Sequence, residues 1–178
     1  DFSESDIATV GALEPAIHMI VSPGSEFEHY LFNLGTPDGV KDASGAVIPG
    51  SASPKEGTYF CPFKDVNVRH AILLGINRQA IVDALLLGKT TVPGSLWPNS
   101  YWDNKSLVVE GYDAAKAESL LDAAGYTKGA DGIRSGKCNG VDTKLSFNFE
   151  TTDKQIRVDI ALAVQSDLAK IGIEFKPI

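Results

Sequence analysis

Apolar residues recur at helical spacing through residues 65–88 and predict two short, nearly contiguous helices. The recurring positions are Val68, Ile72, Ile76, Ile81 and Leu85. Asp65 and Asn77 stand just before the two apolar stripes, and their side chains can accept the free N–H groups of a first helical turn. Gly88 is placed to end the second helix.

Two further helices follow from the same spacing. One starts at Asp113 and stops at Gly125, with Ala117, Leu120 and Leu121 on its apolar side. The other covers about 153–171, and its stripe consists of Ile156, Ile160, Val164 and Leu168.

Apolar or alternating segments predict four β-strands, at residues 16–21, 26–34, 144–151 and 173–178. Turn signals dominate residues 35–62 and 130–141, and residues 89–104 are irregular. Strands that alternate with helices favour an α/β or α+β fold. At 178 residues the chain is one domain or one lobe of a larger protein, and we expect its helices to pack against a mixed β-sheet.

Composition narrows the possible functions. The hydrophobic fraction is 43%, which is enough for a packed core. A formal net charge of -7 argues against a nucleic-acid surface, because such surfaces need clustered Lys and Arg. No apolar run reaches the ~20 residues of a membrane-spanning helix. The chain opens on Asp1 without a start methionine or signal peptide, which suggests a processed or trimmed chain.

Known catalytic and metal-binding patterns are missing. His18, His29 and His70 lack ligand spacing, and no metal site or cofactor is predicted. There is no nucleophile elbow and no glycine-rich phosphate loop. Asp38 and Asp42 lie in an acidic loop that departs from the calcium-binding order of an EF-hand.

The aromatic residues of the irregular segment are the better candidates for a ligand site. Trp97, Tyr101 and Trp102 lie on a stretch that Pro93 and Pro98 stiffen. Such side chains can stack on a ligand, or they can pack on the helix pair as a satellite core. Asn33 ends a predicted strand and can either contact a ligand or satisfy the backbone of the next turn.

Four motifs occur in order along the chain. The pattern "F-x-D-x-x-V-R-x-A-[IL]-x-x-x-I-[DN]-R-x-x-I-V" is fitted by Asp65, Val68, Arg69, Ala71, Ile72, Ile76, Arg78, Ile81 and Val82, and "YDAAKAESLLDAAGY" (112–126) fits "Y-D-P-x-K-A-x-x-L-L-x-x-A-G-Y". "DGIR" (131–134) and "LAKIGIEF" (168–175) follow, and "YLFN" (30–33) precedes them. Together these motifs resemble those of the family 5 bacterial extracellular solute-binding proteins, in which an Asp is more usual at the position of Asn77 and a Pro at that of Ala114.

The resemblance implies part of the C-terminal lobe of a two-lobed, periplasmic-binding-protein-like receptor. It implies capture of an oligopeptide or other small solute, delivery to the transmembrane permease subunits of an ABC importer, and no enzyme activity. It also implies a monomer in the periplasm or at the cell surface, with a possible lipid anchor. The alternative of another class is an α/β hydrolase or a metal-dependent enzyme, which would require titratable groups that converge in a pocket.

Under this resemblance the charged residues of the helix pair, Asp65, Arg69 and Arg78, are expected to be structural. Charged residues near helix ends usually cap helices or pair locally. Cys61 and Cys138 are either two free thiols or a disulfide, and an extracytoplasmic location favours the disulfide.

Overall fold

The computed structural model describes residues 6–22, 24–25, 27–34, 39, 41–49 and 60–178. The helices are α1 (Ile7–Gly11), α2 (Val66–Gly75), α3 (Arg78–Leu85), α4 (Ala114–Ala123) and α5 (Gln155–Lys170). The strands are β1 (Thr127–Lys128), β2 (Arg134–Cys138), β3 (Val141–Lys144), β4 (Ser146–Phe149) and β5 (Glu174–Pro177). A 3-10 turn, Cys61–Lys64, precedes α2. The α+β class is confirmed.

Side-chain caps fix where three of the helices begin. Asp65 accepts from the amide of Asn67 at 2.8 Å at the start of α2. Asn77 and Asp113 cap α3 and α4 in the same way. Each cap satisfies an amide that has no partner within its own helix, so the sequence predicts these starts to within a residue or two.

The helix pair is confirmed, but it packs mainly on other helices. Val68, Ile72 and Ile76 are buried as predicted, and α2 packs principally against α4. The amide of Asp113 donates to the carbonyl of Leu74 at 2.9 Å and fixes the start of α4 beside the end of α2. Helix α3 contacts α5, so a shared sheet face is not what buries the pair.

The strands form two sheets within the described residues, where the sequence suggested one mixed sheet. β1, β2 and β3 are antiparallel, and β4 pairs with β5 in parallel. The β2–β3 hairpin turns at Asn139 and Gly140, which both adopt positive φ, as the Asn-Gly signal indicates. Leu145 joins the sheets, because its amide donates to Arg134 and its carbonyl accepts from Glu174.

Aromatic side chains cover the parallel pair. Phe147 and Phe175 pack at 5.8 Å between ring centroids, and Phe63 lies 4.9 Å from Phe147. Tyr30 contacts Phe149 edge-on at 4.5 Å. A two-stranded parallel sheet has little stability alone, so this cluster and α5 are what bury it.

Two predicted strands are absent. Residues 16–21 leave a turn and continue without regular secondary structure, and Ile20 is 83% exposed. Residues 27–34 form no strand, although Tyr30 and Phe32 pack on the core. An apolar run favours a strand only where a partner strand is available to pair with it. Much of the predicted 35–62 loop lies outside the described residues.

A buried arginine, Arg134, connects three elements. Its side chain is 4% exposed, and Nε donates to the carbonyl of Ile171 at 2.9 Å. Nη1 donates to the carbonyl of Tyr126 at 2.6 Å and to the carboxylate of Asp122. The guanidinium thus holds the ends of α4 and α5 against β2, and its charge is balanced by the carboxylates of Asp122 and Glu118 on α4.

The predicted disulfide is confirmed. Cys61 and Cys138 are bonded across 77 positions, with their Cα atoms 6.0 Å apart. The bond ties the 3-10 turn before α2 to the end of β2. In the chain-entropy model a loop of this length stabilises the fold by about 4–5 kcal/mol.

We expect no free thiols in the unreduced, denatured protein, because both cysteines are consumed by this bond. Titration with a thiol reagent should give none before reduction and two from this chain after it. Two reactive thiols before reduction would contradict the assignment.

Gly136 should not tolerate a side chain. A Cβ built there would lie inside van der Waals contact of the backbone carbonyl of Gly125, which cannot rotate away. Gly136→Ala should therefore lower the free energy of unfolding by about 2–3 kcal/mol, the range of core overpacking. Gly111→Ala is the matched control, since nothing lies within 4 Å of its Cβ position. Equal stability of the two variants in denaturant titrations would show that β2 does not pack on Gly125.

Candidate ligand-binding surface

The irregular segment between α3 and α4 carries three large aromatic side chains that face solvent. Trp97 is 59% exposed, Tyr101 92% and Trp102 74%. The sequence allowed these side chains either to pack on the helix pair or to face a ligand. The structure shows them exposed, so they do not form a satellite core. In the described residues these side chains are free to contact another molecule.

Further large apolar side chains of the same segment are exposed. Tyr101 and Trp102 lie 5.2 Å apart between centroids with their planes at 88°. Leu96 is 64% exposed and Val108 88%. Several exposed apolar side chains on one segment mark an interaction site more often than one such residue does.

A cluster of charged side chains fixes the end of this segment to the helix pair. His70 Nε2 lies 2.5 Å from Glu110, and Lys116 lies 3.3 Å from the same carboxylate. Arg78 donates to the carbonyl of Glu110. The hydrogen bond with His70 is the main reason that the pKa of Glu110 is lowered, so the carboxylate stays ionised. The segment is therefore anchored where it enters α4.

The segment also contacts the N-terminal part of the chain. Asn99 Nδ2 donates to the carbonyl of Gly24 at 2.9 Å. Asn33 is half-buried in the irregular stretch 27–34, which belongs to the same N-terminal part of the chain. Its role in ligand contact stays a prediction.

The charged residues of the helix pair make local contacts. Asp65 caps α2, and Arg69 donates to the carbonyls of Phe63 and Lys64 at 2.6 and 3.0 Å. Burial lowers the pKa of Arg78, and the nearby Glu110 opposes that effect. These contacts join α2 and α3 to the segments on either side of them.

The histidines do not form a cluster. His29 packs against the ring of Phe27, His70 pairs with Glu110, and His18 is exposed. Among the described residues no group of three or more His, Cys, Asp or Glu side chains could hold a metal ion. Asp38 lies outside the described residues, and Asp42 accepts hydrogen bonds from its own turn.

No helix in the described part of the chain is long and apolar enough to cross a membrane.

Two residues important for this architecture did not stand out in the sequence. Arg134 was visible only as the end of the "DGIR" motif, and its burial depends on contacts with α4 and α5. Asp103 was one acidic residue in a polar loop. No sequence pattern predicted that Ser95, eight positions earlier, would donate a hydrogen bond to Asp103.

Comparison with known proteins identifies a family match and several relatives. The chain matches the family described as bacterial extracellular solute-binding proteins, family 5 Middle, over residues 1–177. The oligopeptide-binding protein AppA of Bacillus subtilis is 37% identical over 122 residues, which are 64% of this chain and 21% of AppA. The nickel-binding periplasmic protein of Escherichia coli is 30% identical over 114 residues, or 64% of this chain and 21% of that protein.

A solved structure shows the same fold. The oligopeptide-binding protein of Thermus thermophilus, crystallised with a pentapeptide, superposes with a TM-score of 0.64 at 29% identity. The match covers 70% of this chain and 21% of that one. The chain thus spans about a fifth of the length of the relatives it matches. The match over nearly every residue, with a shared fold, means that the chain belongs to family 5 of the bacterial extracellular solute-binding proteins.

Proposed function

We propose that this chain is one lobe of the substrate-binding component of an ABC importer. The whole protein would capture a peptide-like or other small solute and deliver it to the permease. The observation that carries this proposal is the family match over residues 1–177. The relatives named for oligopeptide and nickel binding support a small solute, and their different ligands leave its identity open.

The complete receptor would close two lobes around the solute. Closure is favourable when the ligand contacts both lobes better in the closed state than in the open state. Residues 1–178 would supply one of these surfaces, and the receptor would act as a monomer in the periplasm or at the cell surface, with a lipid anchor as one means of attachment. The disulfide supports this location, since disulfides persist in oxidising compartments.

The aromatic segment is the proposed ligand face of this lobe, with Trp97, Tyr101 and Trp102 as contact residues and Asn33 as a further polar contact. Tyr and Trp combine a large apolar face with one polar group, which suits contact with peptide side chains or other flat groups. Contact with a ligand would remove the large apolar area of these three side chains from water, which is favourable for binding.

A hydrolase or metal-dependent enzyme is the competing function. It would need titratable groups that converge on a substrate. Asp103 and Glu110 are the acidic residues of the segment between Gly88 and Asp113 that carries the aromatic side chains, and both are engaged in ion pairs. This arrangement favours a binding surface without catalysis.

The direct test is native mass spectrometry of the full-length protein purified without denaturation. We expect a small solute at near 1:1 stoichiometry that is released unchanged on unfolding. Turnover of the released solute on prolonged incubation with the protein would favour the enzyme, and a protein that carries and binds no solute would contradict the proposal.

Truncation of the aromatic side chains tests the face itself. Tyr101→Ala and Trp102→Ala should each raise the Kd for the co-purified solute about tenfold, or ~1.4 kcal/mol. Leu162→Ala is the control, because Leu162 is also exposed, at 51%, but lies on α5. An unchanged Kd in both aromatic variants would remove this segment from the ligand site.

A further inference from the structure

The loop that carries the aromatic side chains is organised around a single carboxylate. Asp103 accepts from Ser95 Oγ at 2.7 Å, from the amide of Asn99 at 2.9 Å and from Lys105 Nζ at 2.6 Å. These donors come from the beginning, middle and end of the loop 95–105. The Asp103 side chain is only 11% exposed, whereas that of Lys105 is 75% exposed.

A second set of hydrogen bonds ties the backbone of Trp97 and Trp102 to Ser100, and Ser100 to the main chain of Asp103. Ser100 Oγ donates to the carbonyl of Trp97 at 2.8 Å and accepts from the amide of Trp102 at 3.2 Å. The amide of Asp103 donates to the carbonyl of Ser100 at 3.2 Å. The backbone on both sides of Tyr101 is therefore fixed while the side chains project outward.

The base of the loop is closed by packing. Pro98 is buried, although Trp97 beside it is exposed. A Cβ on Gly94 would lie 3.1 Å from the side chain of Val109 and 3.4 Å from the carbonyl of Leu107, so the two ends of the loop approach closely. The loop is thus a compact unit whose exposed part is aromatic.

Hydrogen bonds from Lys105, Ser95 and the Asn99 amide lower the pKa of Asp103 to about 2. A lowered pKa means that the folded loop favours the ionised carboxylate. This stabilisation is present above the ordinary pKa of 3.8 and is lost as the pH falls toward 2. At neutral pH the carboxylate is charged and its oxygens are occupied by donors within the loop.

We propose that Asp103 is a positioning residue for ligand binding, which holds Trp97, Tyr101 and Trp102 in the arrangement that receives the solute before the solute arrives. This inference rests on the proposed ligand face. Asp103 would not touch the ligand, because its oxygens already accept hydrogen bonds from the loop. Its effect is preorganisation: a loop ordered in advance loses less conformational entropy on binding.

Hydrogen exchange in the full-length protein, without ligand, tests the positioning step. Asp103→Asn keeps the shape but replaces one acceptor oxygen with an NH2 group, which can only donate, and Asp103→Ala removes both acceptors. The amides of Asn99 and Trp102 should exchange at least tenfold faster in the Asn variant and faster still in the Ala variant. Asp131→Asn is the matched control, since Asp131 also accepts from a backbone amide and a lysine, but in the turn before β2. Unchanged exchange in both Asp103 variants would overturn the inference.

Binding is then measured with a fixed probe, the tripeptide-to-pentapeptide fraction of a casein digest, by competition and mass spectrometry. Measured well below the melting transition, Asp103→Asn should weaken retention of the bound peptides about tenfold, and Asp131→Asn should not. Ser95→Ala should also weaken peptide retention. The loss in the Ser95→Ala/Asp103→Asn double variant should be smaller than the sum of the two single losses, because both changes break one hydrogen-bond network.

Trp102→Ala separates the two possible failures. If Trp102→Ala weakens peptide retention and Asp103→Asn does not, the ligand face stands and the positioning role is overturned. If neither variant changes retention while the protein still binds peptides, the proposed face fails, and the role of Asp103 in binding fails with it.

Discussion

The buried guanidinium of Arg134 is the constraint on which the rest of the described structure depends. It reaches Asp122 in the last turn of α4, and it donates to the carbonyls of Tyr126 and Ile171, which lie beyond the ends of α4 and α5. The amide of Arg134 donates to the carbonyl of Gly172 at 2.7 Å, and its carbonyl accepts from Leu145. Arg134 therefore sets the position of the hairpin relative to the parallel pair. Together, Arg134 and the Cys61–Cys138 disulfide connect the elements of the scaffold that carries the aromatic segment.

The fold was predictable where local physics decides it. The spacing of Val68, Ile72 and Ile76 and the cap at Asp65 determine α2 without reference to any other element, and the Asn139-Gly140 pair determines a turn. Pairing of strands was not predictable in this way, because it joins residues far apart in sequence. The register of β4 with β5 spans the whole of α5, and residues 16–21 have strand composition but form no strand. Length and apolar composition alone cannot distinguish these cases.

The candidate site was predictable in composition but not in organisation. Aromatic residues between prolines indicated a binding surface or a small core, and only the observed exposure of Trp97 and Trp102 separates the two. The hydrogen bonds of Asp103 link residues up to eight positions apart in a stretch without periodicity, so no pattern announces them. The hydrogen bond between His70 and Glu110 joins residues 40 positions apart and was likewise not predictable from the sequence. Such contacts fix a functional loop to a scaffold whose own elements are locally encoded.

Native-state hydrogen exchange of Arg134→Met in the full-length protein tests the central role of this residue most directly. The variant leaves the carbonyls of Tyr126 and Ile171 without their donor, and each buried acceptor left unsatisfied costs about 1–3 kcal/mol. The opening free energy should fall by a similar amount at the end of α4, in β2 and at the end of α5 together. Arg157→Met is the comparison, since Arg157 forms an exposed pair with Glu28 that is worth less than about 1 kcal/mol. A loss confined to β2, or one no larger than that of Arg157→Met, would contradict the account.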